Sequence, residues 1–338
     1  MGESFVPTWG EILSELSGLR QQGMKLPYDT VRRKYLGQLY AHTGREVILY
    51  ASKWTQALGL PQEVLSITEE DLEGLMEVVH GLKGPGLDLI IHSPGGSAEA
   101  TEALVSYLRS KFKDIRAIIP HAAMSAATMW ACAADRIVMG KHSFLGPIDP
   151  QIVFARDGNQ QLVAAQAIID QFDLAQKQCE DPKLFPSWIP ILPQYGPALL
   201  FQCRNALELS RELVAKWLES FMFKGDSAKA RTVAQRLADH TQFKSHGRHI
   251  DRETAKSLGL VVENLEEDQI LQDLVLSVYH ATTHTFNGTS AVKIIENHRS
   301  RAFVKQVSVT QVVPGQRDRQ PADLTPSGPD TPPPPANE

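Results

Sequence analysis

The chain has 338 residues, 42% of them hydrophobic, enough for one large domain or two modest ones whose core needs no covalent staples. Its 34 basic and 39 acidic residues give a formal charge of −5 spread along the whole length, which excludes nucleic acid as the expected partner. Cys132, Cys179 and Cys203 have neither the even count of a disulfide framework nor the spacing of a zinc site, and the histidines show no HExxH-like pairing, so neither metal nor cofactor is read. The N-terminus lacks a basic start followed by an unbroken apolar run, and no stretch reaches about 18 apolar residues, so neither a signal peptide nor a membrane span is expected. The expected compartment is the cytoplasm.

Residues 1–45 read as a helical arm, with Trp9, Ile12, Leu13 and Leu16 at helical spacing ahead of a first strand-like run, Glu46 to Ala51. Strand and helix then take turns: a run Leu87–Ile91, a helix Ala98–Phe112, a run Ile115–Pro120, a short helix from Ser125 and a run Arg136–Met139. That alternation predicts an α/β fold with a parallel or mixed sheet covered by helices. In the Ala98–Phe112 helix Thr101, Leu104, Val105, Leu108 and Phe112 form one stripe, the face that packs on the sheet.

Beyond Pro150 the pattern predicts helices over Leu162 to about Glu180, Ala206–Phe223 and Ser227–Ala238. Between the first two, Pro186, Pro190, Pro193 and Pro197 forbid a regular helix while Phe185, Trp188, Ile189, Ile191 and Leu192 demand burial. This 185–201 segment reads as a substrate lip, a subunit contact, a membrane-surface loop or a Pro-rich connection folded on its own core. Asp251 caps a short helix stopped at Gly259, Glu266–His280 reads as one more amphipathic helix, and the fold ends near residue 300. Residues 306–338, rich in proline and poor in large apolar side chains, read as a disordered tail.

Two segments carry chemistry. In LDLIIHSPGG an apolar strand runs into a Pro-Gly-Gly turn that opens a helix, and the two glycines let backbone N–H groups point into open space. In PHAAMSAATMWACAADRIVMG, Ser125 follows an apolar strand at the start of a helix made of small residues. Ser125 is then placed to present its hydroxyl while the N–H of Ala126 shares an oxyanion hole with that of Gly96. Read singly, the glycines serve tight packing and the serine a close helix contact with its hydroxyl bonded to a carbonyl. Read together, the segments are separated by one helix and one strand, a crossover that brings both turns to the same strand ends.

SPGG followed by AAMSAATMWACAADRIVMGKHSFLGPIDPQ resembles the superfamily of Clp proteases and signal peptide peptidase A, and within it the serine dehydrogenase proteinase family. The resemblance covers roughly Glu46 to Gln151, and SHGRHIDRETAKSLGLV near Ser245–Val261 is similar to the segment that ends the fold in signal peptide peptidases. It implies a ClpP/crotonase-like spiral of ββα units over 46–300, peptide-bond hydrolysis through an acyl-enzyme, a peptide or protein substrate and a homo-oligomer. It places the nucleophile on Ser125 and the oxyanion donors on Gly96 and Ala126.

The histidine of the Clp subunit has no counterpart in GPIDPQ. Signal peptide peptidases use a lysine instead, which makes Lys177 the first candidate base and Lys183 the second, with His142 and Asp149 as further candidates for base or orienting group. No GxxxxGK[ST] phosphate loop is present, so the peptidase reading is ATP-independent in itself. Two other readings fit the same motifs: a crotonase-like acyl-CoA enzyme that uses the oxyanion hole without a serine nucleophile, and a catalytically inactive oligomeric scaffold.

Overall fold

Strands written as VILYA, DLIIH and RAII are apolar on both faces and fit only a sheet covered on both sides. The computed structural model describes residues 8–56, 59–156 and 159–307, and it builds that sheet. In chain order come α1 (Trp9–Gln21), α2 (Pro27–Thr43), β1 (Glu46–Ser52), α3 (Asp71–Val79), β2 (Gly86–His92), α4 (Ala98–Lys111) and β3 (Asp114–Ile119). There follow β4 (Ala122–Ala123), α5 (Ala126–Cys132), β5 (Arg136–Met139) and β6 (Phe144–Leu145). Next are β7 (Gln151–Arg156), β8 (Asn159–Ala164), α6 (Ala165–Gln178), α7 (Phe185–Trp188), α8 (Leu199–Trp217), α9 (Ser227–Leu237) and α10 (His240–Phe243). The last are β9 (Ile250–Asp251), α11 (Arg252–Leu258), β10 (Val262–Asn264), α12 (Gln269–Gly288), β11 (Ala291–Asn297) and β12 (Ala302–Gln306).

The central sheet has seven strands in the order β10-β5-β3-β2-β1-β11-β12. Its first five strands are parallel, and β11 and β12 are antiparallel additions. Alternate residues serve opposite faces, as strand geometry requires. Ile48, Tyr50, Leu89, Ile91, Ala117, Ile119 and Ile137 join the core under α3, α4 and α5. Val47, Leu49, Ala51, Ile90, Ile118 and Val138 face Ile12, Leu16, Val31, Leu36, Leu39 and Val275 of α1, α2 and α12. α1 and α2 thus form one layer against the sheet.

A second, shorter row of strands crosses above the parallel ends. Ser93 bridges Ala123, β4 pairs with β6, and β6 pairs antiparallel with β9. Each turn of the chain thus contributes one long strand (β2, β3, β5) and one short one (Ser93, β4, β6), the spiral of ββα units expected for this α/β fold.

The structure departs from the sequence reading at several element ends, among them α8, which begins at Leu199 rather than Ala206, and α12, which runs Gln269–Gly288 rather than Glu266–His280. β7 and β8 pair antiparallel over Gln151–Arg156 and Asn159–Ala164, so α6 begins at Ala165, three residues later than the predicted Leu162 start. The β11–β12 hairpin runs past residue 300 to Gln306; β11 escapes notice because Lys293 and Glu296 interrupt an otherwise apolar run, yet both are fully buried through ion pairs with Asp71 and Arg32. The 185–201 segment divides its side chains: Trp188 is buried and donates from Nε1 to Gln178 Oε1 at 3.0 Å, whereas Phe185, Ile189 and Phe201 are exposed. The Pro-rich tail lies outside the described residues beyond Val307, and no described helix is long and apolar enough to cross a membrane.

Candidate active site

The Pro-Gly-Gly turn ends β2 and the serine turn ends β4, and the spiral sets them side by side. Ser93 donates its N–H to Ala122 O at 3.1 Å and accepts at its own O from Met124 N–H at 3.0 Å, which joins the two strand ends. Ser93 Oγ accepts from Gly95 N–H at 3.2 Å and sets the start of the turn. Gly95 has φ +99°, and a Cβ there would lie 2.6 Å from Met124 O, 2.7 Å from Ser125 Cβ and 2.8 Å from Ala126 N. Only glycine lets the two turns approach this closely.

Gly96, at φ +153°, sits equally tightly against Ile67, whose N and O would each be 2.4 Å from an added Cβ. Ile67 donates its N–H to Gly95 O at 2.7 Å and accepts from Ser97 N–H at 3.0 Å, so the residues flanking Gly96 are tied and its own N–H is left over. Among the described residues neither Gly96 N–H nor Ala126 N–H has a hydrogen-bond acceptor. Two N–H groups without acceptors on adjoining turns can together hold a negatively charged oxygen.

Ser125 is a non-glycine residue at φ 53°, ψ −123°, a conformation that costs on the order of 1–3 kcal/mol and persists only when its surroundings impose it. They do: all seven residues of α5 are buried, and the helix cannot shift to relieve the turn. Ser125 itself is only part-buried, and its hydroxyl does not cap α5. A strained strand-to-helix turn that leaves a serine hydroxyl uncommitted is the geometry of a nucleophile elbow. The buried Cys132 thiol in the same helix is pushed up to about 12 by burial and offers no competing nucleophile.

The chain then leads from the serine turn to a carboxylate. Thr128 Oγ1 donates to Ala123 O at 2.7 Å and accepts from Gly146 N–H at 2.9 Å, pinning the GPIDPQ segment alongside α5. Asp149, three residues on, is 1% exposed, and each of its oxygens meets a histidine Nδ1: His246 at 2.8 Å and His240 at 3.0 Å. β6 pairs with β9, Leu145 opposite Ile250, and Asp149 and His246 each lie four residues beyond that pair on the connecting segments. A carboxylate only accepts, so each ring donates to Asp149 from Nδ1, which leaves its Nε2 as the second ring nitrogen. From Gly146 to Asp149 the chain spans at most about 10 Å, which keeps this cluster near the serine turn.

Of the sequence candidates, the structure brings together Gly96, Ser125 and Ala126, with Asp149 on the adjoining segment. Lys177 lies exposed in the last turn of α6, and Lys183 is exposed in the connection that follows. His142 belongs to a different cavity of about 320 Å³, lined also by His121, Tyr279 and His280. The larger cavity of about 460 Å³, between Tyr28, Arg32 and Thr285, contains none of these residues. Sequence reasoning missed His240 and His246; a signal for His246 was present, since SHGRHID, the recognisable segment outside the core motif, holds His246 and His249, and the core motif ends in GPIDPQ with Asp149.

Residues 24–180 match the sequence profile of the ClpP-like SDH-type serine proteinases. Over that span, a little under half of its length, the chain is similar to this proteinase family. The matched span contains Gly96, Ser125, Ala126 and Asp149, and ends before His240 and His246. Two uncharacterized proteins of Methanocaldococcus jannaschii are similar to parts of the chain. One is 41% identical over 87 residues, covering 25% of this chain and 30% of that protein. The other is 35% identical over 133 residues, covering 38% and 45%. The chain thus spans less than half the length of the curated relatives it matches. Among solved structures, two variants of a 1510-N membrane-bound stomatin-specific protease, one with a bound substrate peptide, align at 14% and 15% identity. They cover 59% of this chain and 75% and 71% of their own, each with a TM-score of 0.35.

Proposed function

We propose that the protein is a serine peptidase in which Ser125 forms an acyl-enzyme, Gly96 and Ala126 N–H groups hold the oxyanion, and a histidine oriented by Asp149 is the general base. The observation that carries this reading is a strained serine beside two N–H groups without acceptors, with the Asp149–histidine cluster on the segment that Gly146 ties to α5 through Thr128. His246 is the preferred base, with the shorter contact to Asp149, and His240 is the second. Both take the place that the sequence reading gave to Lys177.

In this mechanism the base Nε2 accepts the Ser125 proton as Oγ attacks the peptide carbonyl. The tetrahedral oxyanion is held by the two N–H groups, each worth about 3 kcal/mol of barrier. The base then protonates the leaving amine, the C–N bond breaks, and water activated by the same nitrogen releases the acyl group. The Asp149 carboxylate holds the imidazole tautomer throughout and stabilises the imidazolium.

The test is hydrolysis of fluorescein-labelled casein by wild type, Ser125→Ala, His246→Ala and His240→Ala. Cleavage lost in Ser125→Ala and in one histidine variant supports the reading. Cleavage retained in Ser125→Ala contradicts it. Thioester hydrolysis of an acyl-CoA that survives Ser125→Ala would favour the acyl-CoA enzyme instead.

A further inference from the structure

The segment that braces Gly96 is itself locked by a fully buried ion pair. Ile67 is the residue that bonds both neighbours of Gly96, and the residues on either side of it are both fixed by one cluster. Lys293 Nζ, on β11, donates to Ser66 O at 2.6 Å. It also meets both oxygens of Asp71, at 2.7 and 2.8 Å. Asp71 Oδ2 in turn accepts from Thr68 N–H at 3.0 Å and from Tyr50 Oη–H at 2.7 Å. Lys293 and Asp71 are 0% and 1% exposed.

The same cluster reaches the other donor. The Tyr50 ring meets Trp130 of α5 edge-on, with centroids 5.1 Å apart, and α5 is the helix whose first N–H is that of Ala126. One buried cluster therefore contacts the Gly96 turn through Ile67 and the Ala126 helix through Trp130.

We propose that Lys293 and Asp71 are positioning residues for the oxyanion hole: their ion pair sets the Ser66–Thr68 segment and thereby the direction of the Gly96 N–H. The proposal rests on the peptidase reading above. Burial alone is a poor reason for such a pair, because replacing a buried ion pair with apolar side chains is often neutral or stabilising. A directional role accounts for it, since Nζ fills one bond with a backbone carbonyl and the carboxylate one with a backbone N–H, which no apolar pair reproduces.

The test compares Asp71→Asn, which keeps the shape of the side chain, and Lys293→Met with wild type, using p-nitrophenyl acetate as a substrate that needs no side-chain pocket. Folding is checked by circular dichroism, and inhibition by phenylboronic acid, whose tetrahedral adduct places an oxygen in the hole, is measured in parallel. A misdirected donor lowers kcat by about 10- to 100-fold and weakens boronate inhibition by a similar factor, with KM within about twofold. A merely structural pair lowers the melting temperature and leaves these ratios unchanged. If Lys293→Met does not fold, Asp71→Asn carries the test alone. A folded Asp71→Asn with kcat within about twofold of an active wild type overturns the proposal, and a wild type inert toward the ester overturns the peptidase reading and the proposal with it.

Discussion

A Cβ atom on Gly95 would stand 2.7 Å from the Cβ of Ser125, closer than real Cβ atoms approach one another. The two motifs are thus a single packed unit, and a methyl group at residue 95 has no escape, because its other neighbours are Met124 O and Ala126 N. Gly95→Ala also forces φ +99° on an L side chain. The expected outcome is loss of more than 100-fold in the rate of covalent modification of Ser125, together with a lowered melting temperature, measured by labelling kinetics and thermal denaturation. Modification at the wild-type rate would show that the turns are not coupled.

Asp149 is the second point at which one substitution separates alternatives. Asp149→Asn lets the histidines adopt the wrong tautomer, which in a serine–histidine–aspartate site costs on the order of 10⁴ in kcat. The exposed Lys177, changed to Met, leaves kcat within about twofold. Steady-state hydrolysis of a fluorogenic peptide by both variants decides between the histidine and lysine bases, and the reverse pattern would restore Lys177.

Stability falls on the acid side for a reason unconnected with catalysis. Burial lowers His92 to about 3 and His280 to about 4, with His121 adding to the first and His284 and His142 to the second. Each group is neutral in the folded chain where the unfolded chain, near the ordinary value of about 6.5, has taken up a proton. The unfolded state therefore binds more protons as pH falls below about 6.5, and stability declines from there toward about pH 4. Urea midpoints measured from pH 7.5 to 4.5 are expected to fall, and to fall less in His280→Asn. A flat wild-type profile would contradict this.

Arg32 and Glu296 are both wholly buried, with Glu296 also meeting Arg33 Nε at 2.7 Å and Arg32 donating to Thr285 Oγ1 at 2.9 Å. Arg32→Met leaves a carboxylate buried with only its part-exposed partner and is expected to cost about 3 kcal/mol in urea unfolding. The double change Arg32→Met, Glu296→Met costs less than the single one. A double variant less stable than Arg32→Met would contradict the view that the loss comes from a stranded charge.

What the sequence made legible follows from how local each signal is. The parallel strands are read from apolar runs such as Leu87–Ile91, and the Gly96 and Ser125 turns from small residues at strand ends, all signals contained in a few consecutive residues. The β11 strand was not legible, because Lys293 and Glu296 look solvent-facing until the partners Asp71 and Arg32 are brought in from far along the chain. The histidines were hidden for the same reason: His246 lies 97 residues from Asp149, and only the folded chain brings the two side chains into contact.

The central claim is an activated Ser125, and its most direct measurement is the intact mass of the protein after incubation with a fluorophosphonate, for wild type, Ser125→Ala and Asp149→Asn. A single adduct on wild type, absent from Ser125→Ala and strongly slowed in Asp149→Asn, is the predicted result. A folded wild type that gains no mass, or a Ser125→Ala protein that still does, would contradict it.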